Sequence, residues 1–323
     1  MFRKSIFIIA YNILFVAVFF ILCEFLVRLF FTEIQPQFTD KAINQDNRYF
    51  NSPGLRPVSK GMSNGAPVVV NEFGCRAYTI KIDETGKNWL LIGDSVTMGI
   101  GVEGDSTFAG LLQQKFKDVN IYNPSVSGYD VDDYMNVLTY FTRDFKKQNK
   151  KIDRVILFWC LNDVYTELSS IETPGGTIRY LFSDFLVFLK THSRFYYFLK
   201  TILFDRPESY YKFDSKFYQP NNPAFKNAMY EIQQMQQICM INNINFMMVL
   251  LPYEYQYRPI EDNGFFPQDL IIKSLKPFFI SIFDTRFAFT GEKIKDYFLY
   301  GDGIHFSALG HRKIAQYLID RFN

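Results

Sequence analysis

Residues 89–99 read Trp89-Leu90-Leu91-Ile92-Gly93-Asp94-Ser95-Val96-Thr97-Met98-Gly99. The apolar run Trp89–Ile92, closed by a glycine-containing turn, has the form of a buried strand. Past the turn, Phe108, Leu111, Leu112 and Phe116 recur at three- and four-residue spacings, so Thr107–Phe116 reads as a helix. Ser95 then falls just beyond the carboxyl end of a strand, where open α/β sheets bind ligands. Backbone N–H groups at such a turn can hold a developing negative charge. Alone, Gly93-Asp94-Ser95 is better explained as an ordinary strand-to-helix turn, so its meaning depends on partners elsewhere.

Outward from this stretch, apolar runs alternate with amphipathic ones. Val119–Tyr122 is strand-like, Tyr134–Phe145 helical, and Arg154–Cys160 a run of Val, Ile, Leu, Phe and Trp that reads as a buried strand. The pattern resumes with a helix over Phe225–Ile241, a strand over Ile244–Leu251 ending at Pro252, a short strand over Ile280–Asp284 and a terminal helix over Ile304–Phe322. Such alternation is the mark of a parallel sheet flanked by helices, here over 87–323. Residues 164–223 break it. They hold an aromatic helical stretch, Tyr180–Phe204, that reads either as a cover over the active-site face or as a helix pair on the core. It carries too many Lys, Arg and Asp to span a membrane, and a membrane-surface role stays open.

The amino terminus sets the compartment. After Arg3 and Lys4, residues Ile6–Cys23 are apolar except for Asn12, and the run continues through Phe31. That is about the ~20 residues needed to cross a bilayer, and the preceding positive charges favour a cytoplasmic amino terminus. No small residues precede a cleavage point near Cys23, so 1–31 reads as an uncleaved signal anchor rather than a removed signal peptide. Glu24 and Arg28, four residues apart, are placed to pair. Residues 32–86 are polar and turn-rich and read as a stalk or wrapping segment. Within them Asn71–Arg76 is a turn, and Arg76 is either half of a surface ion pair or an anchor tying the turn to the main domain.

Bulk composition excludes some classes. The 323 residues carry a formal charge of +2 with no long Lys/Arg patch, against a basic nucleic-acid binder. With 48% hydrophobic and 21% charged residues, most of the chain should fold. Cys23, Cys75, Cys160 and Cys239 lack metal-ligand spacing, and spacing leaves open whether Cys75 and Cys239 pair. A phosphate-binding loop and a glycine-rich dinucleotide turn are both missing.

Three later segments place polar residues at strand ends. Asn123–Gly128 follows the Val119–Tyr122 strand, and Gly128 can present an N–H without side-chain obstruction. Asn162 follows the strand ending at Cys160 and carries a neutral amide donor. Asp302 precedes His305 by three residues, just ahead of the final helix. These parts suffice for acyl transfer. Serine needs a base, His305 can take the Ser95 proton, and Asp302 can orient the imidazole. Ser95 N–H, Gly128 N–H and the Asn162 amide would form the oxyanion hole.

The order Gly93-Asp94-Ser95, Gly128, Asn162-Asp163 and Asp302-x-x-His305 resembles the SGNH, or GDSL, hydrolase family, from Trp89 to the carboxyl end. Two blocks depart from it: Val96 stands where leucine is usual, and Leu161 where glycine is usual. The turn Asn71–Arg76 also looks like the segment before the first block in membrane-anchored bacterial members. The resemblance implies a flavodoxin-like three-layer α/β/α sandwich with a parallel sheet, and ester chemistry without metal or cofactor. The expectation is therefore a serine esterase or acyl hydrolase outside the cytoplasm, acting on O-acyl groups of envelope glycans. The alternatives are an O-acyltransferase, which would need a multispanning membrane partner, or a non-catalytic glycan-binding module.

Overall fold

The structure, a computed structural model, describes residues 2–83, 85–166, 183–259, 263–291 and 293–322. In chain order its elements begin with helix α1 (Phe2–Phe30) and strands β1 (Asn44–Tyr49), β2 (Ser52–Leu55), β3 (Lys60–Ser63) and β4 (Ala66–Val69). Strand β5 (Lys87–Ile92), helices α2 (Ser95–Met98) and α3 (Phe108–Lys115), β6 (Val119–Tyr122), α4 (Val131–Lys147) and β7 (Arg154–Trp159) follow. Then come α5 (Ser183–His192), α6 (Arg194–Leu203), α7 (Arg206–Asp214), α8 (Pro223–Ile241), β8 (Asn245–Leu250), α9 (Phe266–Leu275), β9 (Ser281–Asp284) and α10 (Ala308–Phe322). These elements fall into two compact units, Met1–Phe38 with Thr173–Asp205, and Thr39–Glu172 with Arg206–Asn323.

The first unit is helical. Residues Phe7–Phe30 of α1 are long and apolar enough to cross a membrane. The expected Glu24–Arg28 pair forms, with Arg28 Nε 2.6 Å from Glu24 Oε1. Beside α1 stand α5 and α6, broken from each other at Ser193, whose hydroxyl accepts the Tyr196 N–H at 3.0 Å and so starts a new helix. The expected single stretch Tyr180–Phe204 is thus two helices, and its first residues, 180–182, lie outside the described ones.

In the second unit, five parallel strands pair in the order β6-β5-β7-β8-β9, which is the flavodoxin-like 2-1-3-4-5 order of a doubly wound sheet. Helix α3 packs with α10 and α4 with α8, and these pairs flank the sheet. The central strand β7 is buried over Val155–Trp159, as a strand covered on both faces must be. Strand limits follow the apolar runs closely, and the polar residue inside β6, Asn120, is buried with its amide donating to the Asp83 carbonyl and to Asn88 Oδ1. Helix starts follow capping chemistry. Asp130 caps α4 through the Asp132 and Asp133 N–H groups, so α4 begins before Tyr134. The final helix starts at Ala308 rather than Ile304, because the Asp302 carboxylate holds the Ile304 and His305 N–H groups in a separate turn.

Residues 44–69 lie ahead of the parallel sheet in the chain. They form two antiparallel hairpins, β1–β2 and β3–β4. Arg76 takes the anchoring role: it is 1% exposed, and its guanidinium donates to the carbonyls of Met98, Gly99 and Val102. Cys75 and Cys239 are both buried free thiols.

Candidate active site

Strand β5 delivers Ser95 to the sheet's carboxyl edge through a turn that only glycine fits. A Cβ on Gly93 would lie 2.1 Å from Thr97 Oγ1 and 3.0 Å from the Phe158 carbonyl oxygen. Asp94 caps the short helix α2, accepting the Val96 N–H at 2.9 Å, and so braces the turn. Ser95 is the first residue of α2, and its N–H therefore has no partner within that helix.

The residues expected around Ser95 come from distant parts of the chain. Ser95 Oγ lies 2.8 Å from His305 Nε2, and His305 Nδ1 lies 2.8 Å from Asp302 Oδ1. That second contact places the His305 proton on Nδ1 and leaves Nε2 free to accept. Asp302 is 2% exposed. Its burial would raise the carboxyl, yet the His305 charge and hydrogen bond, with Arg206 nearby, hold it well below the usual carboxylate range. Burial likewise works against a His305 cation, but Asp302 more than offsets it, aided by Asp94, and the imidazole sits above its ordinary value. His305 can thus accept a proton once neutral, and its cation is stabilised in place.

The Asn162 side chain also reaches this turn. Its Nδ2 donates to Asp94 Oδ2 at 3.2 Å, the oxygen that lies 3.1 Å from Ser95 Oγ. Gly128 stands in the loop after β6, the strand next to β5, at φ +88 with open space where a Cβ would go. His311, which is buried, is a core residue. Its Nδ1 accepts the Phe108 N–H at 3.2 Å, and burial, then Arg76, pushes it down to about 3.

Behind Asn162 runs a layer the sequence reading missed. Tyr253 Oη lies 3.1 Å from Asn162 Oδ1 and 2.7 Å from Asp214 Oδ2, and Tyr165 donates to Asp214 Oδ1 at 2.9 Å. Tyr218 donates to the Leu161 carbonyl at 2.9 Å, and Trp159 Nε1 donates to Tyr218. Leu161, where glycine is usual, is buried within a short 3₁₀ turn, so the departure is accommodated as packing. Tyr253 had one signal: it follows Pro252 at a strand's carboxyl end, the same kind of position as Ser95 and Asn162. Among the described residues, no group of three or more His, Cys, Asp or Glu side chains is placed to hold a metal ion.

No family model matches the chain. An uncharacterized protein of Mycoplasma pneumoniae is 36% identical over 84 residues, 25% of this chain, and the chain spans only 10% of that relative's length. Among solved structures, the chain is similar to TesA at 12% identity and TM-score 0.45, covering 73% of this chain and 98% of that one. It is similar to the acetyl xylan esterase AlAXEase at 17% identity and TM-score 0.44, covering 73% and 100%. A third is the psychrotrophic esterase EstA from Pseudoalteromonas sp., at 12% identity and TM-score 0.42, covering 73% and 96%.

Proposed function

We propose that the chain is a serine ester hydrolase of the SGNH type, with Ser95 as nucleophile, His305 as general base and acid, and Asp302 as the orienting carboxylate. The observation that carries this reading is the continuous line Asp302 Oδ1–His305 Nδ1, 2.8 Å, and His305 Nε2–Ser95 Oγ, 2.8 Å.

The chemistry follows from that line. As Ser95 Oγ bonds to the ester carbonyl carbon, its proton passes to His305 Nε2 and the carbonyl π pair moves onto oxygen. The new oxyanion is received by Ser95 N–H, Gly128 N–H and Asn162 Nδ2. Collapse breaks the bond to the alcohol oxygen, which takes the His305 proton and departs. Water, deprotonated by His305, then attacks the acyl-serine, and the same sequence frees the acid. Asp302 keeps its charge throughout and stabilises the imidazolium.

The apolar helix α1 and the basic Arg3-Lys4 before it support an anchored enzyme with its catalytic unit outside the cytoplasm. An O-acyl ester of an envelope glycan is the substrate class this location favours. The reading is tested by a fluorophosphonate probe on the folded chain. Labelling at Ser95, lost in Ser95→Ala and blocked by aryl acetates, supports it, whereas an unlabelled Ser95 removes it.

A further inference from the structure

We propose that helices α5 and α6 form a second lipid-contacting element beside α1, an interfacial pair seated in the outer part of the bilayer. This rests on reading α1 as the membrane anchor. Glu24 lies inside the apolar span Phe7–Phe30, ~9 Å short of its end at the rise of a helix. A carboxylate at that depth is costly unless its oxygens are occupied. They are occupied by the start of α6: Ser193 Oγ at 2.8 Å, Arg194 N at 3.1 Å and Phe195 N at 2.9 Å, with Arg28 Nε on the other side. Phe20 stacks edge-on against Phe195 and Phe31 tilts against Phe198. The first turn of α6 therefore stands level with the apolar span rather than beyond it.

The pair is dressed for lipid. Phe185, Val187 and Phe188 on α5, and Ile202, Leu203 and Phe204 at the end of α6, are exposed large apolar side chains, as are most of those along α1. Lys190, Arg194 and Lys200 supply cations for a headgroup layer. Arg194 reaches back past the span to Gln35 at 2.9 Å, as a snorkelling arginine does.

The test uses the full chain in vesicles of phosphatidylcholine and phosphatidylglycerol, with Cys23→Ser. An environment-sensitive dye is placed by Phe188→Cys or Ile202→Cys, with Val16→Cys and Lys41→Cys as span and surface references. Blue-shifted emission at positions 188 and 202, quenched by brominated lipid as at 16, is expected. Emission matching position 41 overturns the proposal, and so does shielding without lipid quenching, which would mean a protein partner or a second copy. An unquenched dye at position 16 instead removes the anchor reading.

A separate observation near Ser95 carries a second inference, which rests on the ester-hydrolase reading. We infer that Tyr253, backed by Asp214, is a positioning residue that fixes which way the Asn162 carboxamide faces. Asp94 Oδ2 accepts from Asn162 Nδ2, so Asn162 turns its NH₂ toward Asp94 and its Oδ1 toward Tyr253. Tyr253 has one hydroxyl proton and two oxygens within reach, at 3.1 and 2.7 Å. If the proton goes to Asn162, the short contact to Asp214 needs a proton on the carboxyl. Burial pushes Asp214 up to about 6 against the pull of Tyr253 and Tyr165, so the carboxyl carries that proton below this pH and gives it up above it. With Asp214 bare, Tyr253 turns to it and Asn162 Oδ1 faces a lone pair, which loosens the oxyanion donor.

Tyr253→Phe should lower kcat ~10-fold with KM little changed, part of the ~10²–10³ carried by one oxyanion donor. The Tyr253→Phe penalty should vanish in an Asn162→Ala background. Asp214→Leu should cost more than Asp214→Asn, whose amide donates to Tyr253 and holds its proton on Asn162. A penalty that persists without Asn162, or that falls on KM, overturns the inference. Hydrolysis surviving Ser95→Ala would instead remove the reading beneath it.

Discussion

Ser95 Oγ and His305 Nε2 are 2.8 Å apart although 210 residues separate them in sequence. The fold holds them together through two different devices, a helix start at Ser95 and a carboxylate-capped turn at His305. Ser95→Ala should abolish turnover of aryl acetates while leaving the melting temperature near that of the parent. Thermal melting and steady-state assay on one preparation check both halves.

Hydrolysis should rise with pH. His305 acts as a base only when neutral, and its folded value is raised, so the acid limb of kcat/KM should have its midpoint above the ordinary ~6.5. Asp302→Asn removes the charge that stabilises the imidazolium, which should move that limb to lower pH and reduce kcat by ~10³–10⁴, the scale seen for triad carboxylates. A pH–rate profile of both proteins reads the direction.

Asn162→Ala should lower kcat by ~10²–10³ and spare KM, because its amide meets charge that exists only as the oxyanion forms. Kinetics on a small ester separate this from a loss of binding.

Gly93→Ala should destabilise the fold by about 1–3 kcal/mol and slow turnover, since the new methyl meets Thr97 and the Phe158 carbonyl. Urea titration gives the first quantity and the aryl acetate assay the second.

The sheet was legible because each strand is a bounded apolar run, and residues after such runs mark its carboxyl edge. Ser95 and Asn162 follow such runs, whereas His305 was singled out by Asp302 three residues before it, just ahead of the final helix. Tyr253 obeyed the rule too, yet one tyrosine among 21 carries no distinctive chemistry until its proton is counted between two acceptors. Asp214 was hidden in the 164–223 break, where no periodicity tied it to the sheet. The β1–β2 hairpin escaped notice because short, half-exposed strands such as β1, rich in polar residues, resemble turn-rich linker.

Arg76 alters where this protein can be cut. Its guanidinium joins the Asn71–Arg76 turn to the carbonyls at and just past the end of α2, only a few residues past Ser95. A chain begun at residue 87, the boundary that apolar patterning suggests, would leave those carbonyls without their donor. Buried and unsatisfied, each would cost about 1–3 kcal/mol. A fragment that keeps Arg76 and the compact unit it belongs to begins near Thr39, and Arg76 makes what precedes β5 a brace for the Ser95 turn.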